Sequence, residues 1–365
     1  MANRSKLRIA INTGGGDAPG LNAVIRAVTL SALNLGWEVY GIQRGYGGLL
    51  GEGAVIPMTR ETVRGITHLG GTILGTTNRG NPFAWPEGRS GGGVETADRA
   101  AEVLERFREH GFDALIAIGG DGSLRIAHEL SKMGMPVIGV PKTIDNDIPY
   151  TNLTFGFLTA METATDAIDK VHSTAESHER VIVVEVMGRQ AGWIALFAGV
   201  AGSADAILIP EIPYRIEKVC EKIQERERAG RHFSIVVAAE GARPVGGEPV
   251  VVESARPDRS VRYGGIGQQI ADEIAELSGK ETRALALGHL QRGGSPNAYD
   301  RLIALRYGAG AVQFVQAGHF GCMVGIDPPH VKPVPLAEVA KTRKLVPVDG
   351  DVVYTARALG TSFGD

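Results

Sequence analysis

Cysteine is almost missing from this 365-residue chain: there are two, Cys220 and Cys322, far apart and without metal-ligand spacing. That argues against a disulfide framework or a thiolate metal site and makes a reducing cytoplasm the expected setting. Long apolar runs are missing too. No stretch approaches the roughly 18 residues of a membrane helix, and the apolar-leaning run before the first glycines is too short for the core of a secretory leader. Charge of one sign is equally lacking. Against 38 Lys plus Arg stand 41 Asp plus Glu, a net charge of −3. No overall field favours nucleic acid or an anionic membrane as partner, so any anion site must be local.

Glycine is what the chain has in excess, with 50 residues, about twice the usual share of about 7%. Many tight backbone approaches are therefore expected. The length favours two lobes or one large α/β domain. Short apolar runs alternate with amphipathic segments, as in "LRIAIN", "GLNAVIRAVTLSALNLG" and "WEVYGI", and later "FDALIAIGG", "SLRIAHELSKMG" and "MPVIGV". Strand, helix and strand in regular succession predict βαβ units and a mostly parallel sheet. The pattern resumes after residue 150 with "RVIVVEVMG", "ADAILIP", "HFSIVVAAEG" and "RALALGHL" between helical segments. The expected fold class is α/β with two doubly wound lobes, divided 1–150, 151–326 and a C-terminal segment 327–365. Two stretches break the rhythm: 78–94, rich in Gly and Pro, is expected as a long loop, and 242–265 as an irregular or hairpin insertion.

Open parallel sheets bind ligands outside the carboxyl ends of their strands, and the unusual motifs fall at such ends. "TGGGDAPGLN" (13–22) follows the first strand; its glycines let backbone N–H groups approach a phosphate, and the next helix offers its positive end. "GGDGS" (119–123) sets Asp121 among glycines, a place for Mg²⁺ as much as for a helix cap. "PKTIDNDIP" (141–149) holds Lys142 close to Asp145 and Asp147. Each alone also fits a turn; three in one lobe point to a phosphate site. In the second lobe Arg180 precedes a strand, "MGR" (187–189) and Glu240 end strands, Arg283 begins one, and "GHLQRGGS" (288–295) brings His289 and Arg292. Arginine forks match phosphate oxygens, so a phosphorylated small molecule is the expected substrate.

Together "GGGDAPGLNAVIR", "GGDGS", "PKTIDND", "EVMGRQAGW" and "GHLQRGGSPNAYDR" resemble the 6-phosphofructokinase family, in order and interval, over about residues 7–326. The resemblance implies transfer of a phosphoryl group from ATP to the 1-hydroxyl of fructose 6-phosphate, the committed step of glycolysis. It implies Asp145 as general base, Thr143 beside sugar and moving phosphate, and Arg189 on the charge of the transition state. Asp121 would hold Mg²⁺, and Gly16, Arg79, Gly80, Gly120, Gly122 and Ser123 would contact the nucleotide. Arg180, Met187, Gly188, Glu240, Arg283, His289 and Arg292 would bind the sugar phosphate, with Arg180 and Arg283 supplied by a neighbouring subunit. A homodimer or homotetramer in the cytoplasm is thus implied. In regulated relatives basic residues gather in a pocket between subunits; here Arg26 remains, but Leu30, His172 and Ala229 occupy such positions, so control through that pocket is not expected.

The donor turns on two residues. In the resemblance, glycine after the metal-binding aspartate leaves space for the α-phosphate of ATP, whereas pyrophosphate users carry aspartate there. Gly122 therefore implies ATP. Lys142 is typical of pyrophosphate users and is read as tolerated. The rival readings are a pyrophosphate-dependent transferase on the same fold and a non-catalytic nucleotide or sugar-phosphate sensor; Asp145, Asp121 and Arg189 together argue against the sensor, since a pure binder needs no base.

Overall fold

The computed structural model describes residues 6–88, 94–254 and 262–365. Along the chain, β1 (Arg8–Thr13) leads through Gly20, in the left-handed region at φ 109°, into α1 (Leu21–Asn34) and β2 (Glu38–Ile42). There follow β3 (Val55–Pro57), β4 (Trp85–Gly88), β5 (Val94–Ala97), α2 (Ala100–Glu109), β6 (Ala114–Gly119), α3 (Asp121–Lys132) and β7 (Val137–Pro141). The long α4 (Phe157–His178) crosses to β8 (Val181–Val186), α5 (Trp193–Ala201), β9 (Ala206–Leu208), α6 (Ile216–Arg228) and β10 (Ser234–Ala239). Beyond lie β11 (Val251–Glu253), β12 (Arg262–Tyr263), α7 (Ile266–Ser278), β13 (Thr282–Ala286) and α8 (Ala298–Ala317). The chain closes with β14 (Cys322–Asp327), β15 (His330–Pro335), α9 (Leu336–Val339) and α10 (Asp351–Ala358).

These strands make one seven-stranded sheet, ordered β15-β14-β7-β6-β1-β2-β3, and one four-stranded sheet, ordered β13-β8-β10-β9. The larger is parallel except at its two edges, where β3 and β15 run antiparallel; the smaller is parallel throughout. Both sheets are covered on both faces. Ile9 and Ile11 enter one core while Ala10 enters another, and Ile182, Val184 and Val186 alternate in the same way with Val181 and Val183. A period-2 change between two buried faces accounts for the continuous apolar runs in the sequence. The α/β class and the mostly parallel sheets are as expected.

The sequential division is not followed by the sheets. After β13 the chain returns: α8 packs on α1, β14 pairs with β7, and β15 with β14. Residues 298–335 thus build the first layer, whereas the expected division puts 298–326 in the second lobe and 327–335 in the C-terminal segment. The first of the two irregular stretches contains β4, which pairs antiparallel with β5 at and beyond its end, and the second contains the antiparallel pair β11 and β12. The expected 78–94 loop is in part strand because Trp85 gains a buried place and its Nε1 donates to Glu52; residues 89–93 and 255–261 lie outside the described residues.

Candidate active site

At the larger sheet the strand order reverses beside β1, and its neighbour β6 ends level with it. Gly14 N–H donates to the Ile118 carbonyl (2.9 Å) and Gly15 N–H to Thr77 (3.1 Å), so the first glycine loop is tied to β6 and to the 72–80 turn. That turn carries Arg79 and Gly80, whose Cβ would stand 2.7 Å from the Thr77 methyl. Gly120 precedes α3, and Asp121, Gly122 and Ser123 form its first turn, with no side-chain cap on the helix. Its free N–H groups and positive end face the glycine loop side, a ready place for phosphate. Ser123 lies against the glycine loop: a Cβ on Gly14 would fall 2.8 Å from its Oγ. At Gly122 an added Cβ meets nothing within 4 Å.

Asp121 itself is engaged twice. Arg125 Nε donates to its Oδ1 (3.0 Å) and Arg343 donates to its Oδ2 (2.8 Å). Arg343 comes from the C-terminal segment and was not among the expected residues.

After β7, Lys142 is buried and its ammonium donates to the Gly16 carbonyl. Burial, and next the like charge of Arg292, pull its pKa down to about 8. Thr143 Oγ accepts from the Asp145 N–H (3.0 Å), closing a small turn that aims the carboxylate. Asp145 Oδ1 is buried and has no hydrogen-bond partner among the described residues. Such an orphan acceptor is costly unless something else meets it. Asn146 takes φ 50° and its side chain accepts from Thr154 N–H (3.1 Å) and Lys344 Nζ (2.7 Å), fixing the loop between the two acids. Burial, then Asp145 and Asp121, push the Asp147 carboxyl up to about 6.

The smaller sheet supplies the facing groups. Met187, Gly188 and Arg189 leave β8 with Gly188 at φ 134°, and a Cβ on Gly241 would stand 2.0 Å from the Arg189 carbonyl oxygen. Only glycine at 241 lets β10 pass so close. Glu240 directly follows β10; burial first and Asp145 next raise its carboxyl to about 7, with Arg189 and Arg292 opposing. Gln291 Oε1 accepts from Met187 N–H (3.2 Å), so the turn holding His289 and Arg292 is fastened to the end of β8. The layers meet where a Cβ on Gly16 would lie 1.9 Å from Arg292 Nη1, and where one on Gly70 would lie 2.3 Å from the Gly294 carbonyl oxygen.

Gly16, Lys142, Asp145, Glu240, Arg189 and Arg292 are therefore neighbours. Arg180 and Arg283 are elsewhere engaged: both donate to Glu281 Oε1, at 3.0 and 2.6 Å, and Arg283 is 62% exposed. His289 is exposed on its short turn. Among the described residues no three His, Cys, Asp or Glu side chains converge as a metal cage, and no helix is long and apolar enough to cross a membrane.

The family pattern described as phosphofructokinase matches residues 8–315. A protein of Chloroflexus aurantiacus named ATP-dependent 6-phosphofructokinase is 52% identical over 365 residues, covering 100% of this chain and 99% of that one. One of Clostridium perfringens, named ATP-dependent 6-phosphofructokinase 2, is 48% identical over 98% of both. Among solved structures, Pichia pastoris phosphofructokinase in the T-state is 32% identical at a TM-score of 0.79; it aligns over 97% of this chain, which spans 37% of that longer one. The pyrophosphate-dependent phosphofructokinase of Marinobacter aquaeolei is 25% identical at a TM-score of 0.79, over 98% of this chain and 88% of that one. The chain belongs to the phosphofructokinase family.

Proposed function

We infer that the chain transfers the γ-phosphoryl group of ATP to the 1-hydroxyl of fructose 6-phosphate, giving fructose 1,6-bisphosphate and ADP. The observation that carries this reading is the meeting of the two layers at Asp145: a buried, unpartnered carboxylate oxygen set between a glycine-rich phosphate loop and a facing Arg and Glu pair. In our assignment residues 1–150 hold the nucleotide and 151–297 the sugar phosphate, while 298–335 complete the first layer and the rest folds back on both.

Asp145 accepts the proton of the 1-hydroxyl as its oxygen attacks the γ-phosphorus and ADP leaves. Thr143 orients that carboxylate and borders the moving phosphate. Arg189 offsets charge on the equatorial oxygens, where a preorganised cation is worth most. Arg292 and His289 take the 6-phosphate and Glu240 accepts from sugar hydroxyls. Gly16, Arg79, Gly80, Gly120, Gly122 and Ser123 line the nucleotide, with Gly122 leaving room for the α-phosphate.

Mg²⁺ fits the residues present. Burial, then the charges of Asp145 and Asp121, push the Asp147 carboxyl up, and a hard divalent cation relieves such repulsion. Mg²⁺ takes one or two carboxylates and fills its shell with phosphate oxygens and water, which agrees with the absence of a protein cage among the described residues. Asp121 would hold it, and it would neutralise charge on the donor phosphates.

Arg180 and Arg283, turned to Glu281 at an exposed strand edge, suit a site completed by a neighbouring subunit; a homodimer or homotetramer in the cytoplasm is the form we assign. Lys142, whose ammonium reaches the Gly16 carbonyl, favours a pyrophosphate-dependent transferase as second reading.

One coupled assay separates these: turnover of fructose 6-phosphate with MgATP and, separately, with Mg pyrophosphate. Turnover with MgATP is expected, falling by ~10²-fold or more in Asp145→Asn with sugar phosphate binding kept. Preference for pyrophosphate would move the assignment to the second reading, and an unchanged rate in Asp145→Asn would remove the base.

A further inference from the structure

Asp121 sits at the first turn of α3 with one oxygen on Arg125 and the other on Arg343. The carboxylate assigned to the cation is thus held by two guanidinium groups. The two are unequal. Arg125 lies one turn along the same helix and is about half exposed, an ordinary (i, i+4) surface pair. Arg343 arrives from the other end of the chain and is held in place by its neighbour. Lys344 N–H donates to the Asp147 carbonyl (2.9 Å), and its ammonium to Asn146 Oδ1 (2.7 Å) and to the Thr151 and Asn152 carbonyls (3.1 and 2.9 Å). Trp193 Nε1 donates to the Lys344 carbonyl (2.9 Å). Two residues on, Val346 N–H donates to Glu211 Oε1 (2.9 Å), whose carboxylate also accepts from Gly192. So much anchoring around one short segment, reaching both layers and the Asp145 loop, leaves the Arg343 guanidinium little freedom except about its own side chain.

We propose that Arg343 is a donor-site residue that exchanges partners during the cycle. Without nucleotide it neutralises Asp121; when the metal–nucleotide arrives and the cation takes that carboxylate, the guanidinium passes to a donor phosphate oxygen. Two requirements are met by the geometry. Guanidinium donors suit phosphate oxygens as well as a carboxylate, and the uncapped N-terminus of α3 beside it already favours an anion. Because the Arg343 backbone is tied to the Asp147 carbonyl through Lys344, the residue that senses the donor is fixed to the loop that carries the base. The inference rests on the assignment of Asp121 to the donor site.

The test uses the full chain and Mn²⁺ as the metal. Free Mn²⁺ binding is followed by electron paramagnetic resonance, and Mn²⁺·AMP-PNP and fructose 6-phosphate binding by calorimetry, for wild type, Arg343→Gln, Arg343→Lys and Asp121→Asn. Arg343→Gln is expected to bind free Mn²⁺ more tightly, because a competitor is gone, yet Mn²⁺·AMP-PNP about tenfold more weakly, with sugar phosphate affinity unchanged and Arg343→Lys between. The opposite signs are the signature; a pair that merely braces the fold moves all three ligands together or none, and either result overturns the proposal. If Asp121→Asn weakens the metal–nucleotide while Arg343→Gln does not, the partner exchange is wrong and the donor assignment stands. If Asp121→Asn leaves it unchanged, the donor assignment fails and the proposal with it.

Discussion

Gly122 stands in open space in the first turn of α3, where an added aspartate favours the helix. Gly122→Asp should therefore fold at least as well as the parent while placing a carboxylate where the family resemblance sets the α-phosphate of ATP. Like charges within about 4 Å repel by ~4 kcal/mol at an effective dielectric of about 20, on the order of a 10³-fold loss. kcat/KM with MgATP should drop by that order with Tm held; ATP use as good as before would show that another residue selects the donor. Lys142→Gly should keep ATP turnover and lower Tm, since the buried ammonium loses its bond to Gly16. Glu240 gives a pH signature. Its folded pKa of about 7 lies above the ordinary 4.5, so folding takes up a proton between those values, and stability is lost as pH rises through that window. Glu240→Gln removes the loss, and its Tm gain over wild type should be larger at pH 8 than at pH 5. Equal gains at both pH values would place the raised carboxyl elsewhere.

The starts of two helices are tied to each other. Asp300 Oδ2 accepts from the Thr159 N–H (2.7 Å) and hydroxyl (2.6 Å) in the first turn of α4, while Asn297 caps α8 through the Asp300 N–H (2.8 Å). Burial raises the Asp300 carboxyl, so part of the gain is spent on desolvation. Asp300→Ala should cost about 2 kcal/mol in denaturant unfolding and leave KM for both substrates as it was; a shift in either KM would mean the cap also sets the site. Nothing in "SPNAYDR" announces this bond, because its partner is more than a hundred residues upstream. Glu185 repeats the lesson: within "VIVVEV" it reads as one polar residue in a strand, yet it accepts from the Gly265 and Gly267 N–H groups and seats α7. What was legible was local: short continuous apolar runs marked the strands, and glycines with acids at their ends marked Gly16, Asp121 and Asp145. Arg343 was not, since its segment has weak periodicity and acquires meaning only from the Asp147 and Trp193 groups that hold Lys344.

At the scale of the molecule the surface bonds of Arg180 and Arg283 to Glu281 can be tested by mixing subunits. Asp145→Asn and Arg283→Ala preparations, each nearly inactive, should on dissociation and reassociation recover about a quarter of wild-type sites, because a mixed pair has one site with both defects and one with neither. No recovery, from subunits shown to have exchanged, would place Arg283 in its own subunit's site. The other whole-molecule feature is the late return of β14 to β7. During synthesis β7 leaves the ribosome with one edge bare, and the strand that will cover it follows only after all four strands of the smaller sheet. An unpaired edge of that kind invites wrong partners. The smaller sheet waits longer still: Ser362 bridges to Ala206 at the outer edge of β9, and Val353, Ala356 and Phe363 fill its core. Neither layer is thus complete until the segment beyond β14 has emerged, and a nascent chain stopped short of β14 carries two sheets, each with an open edge.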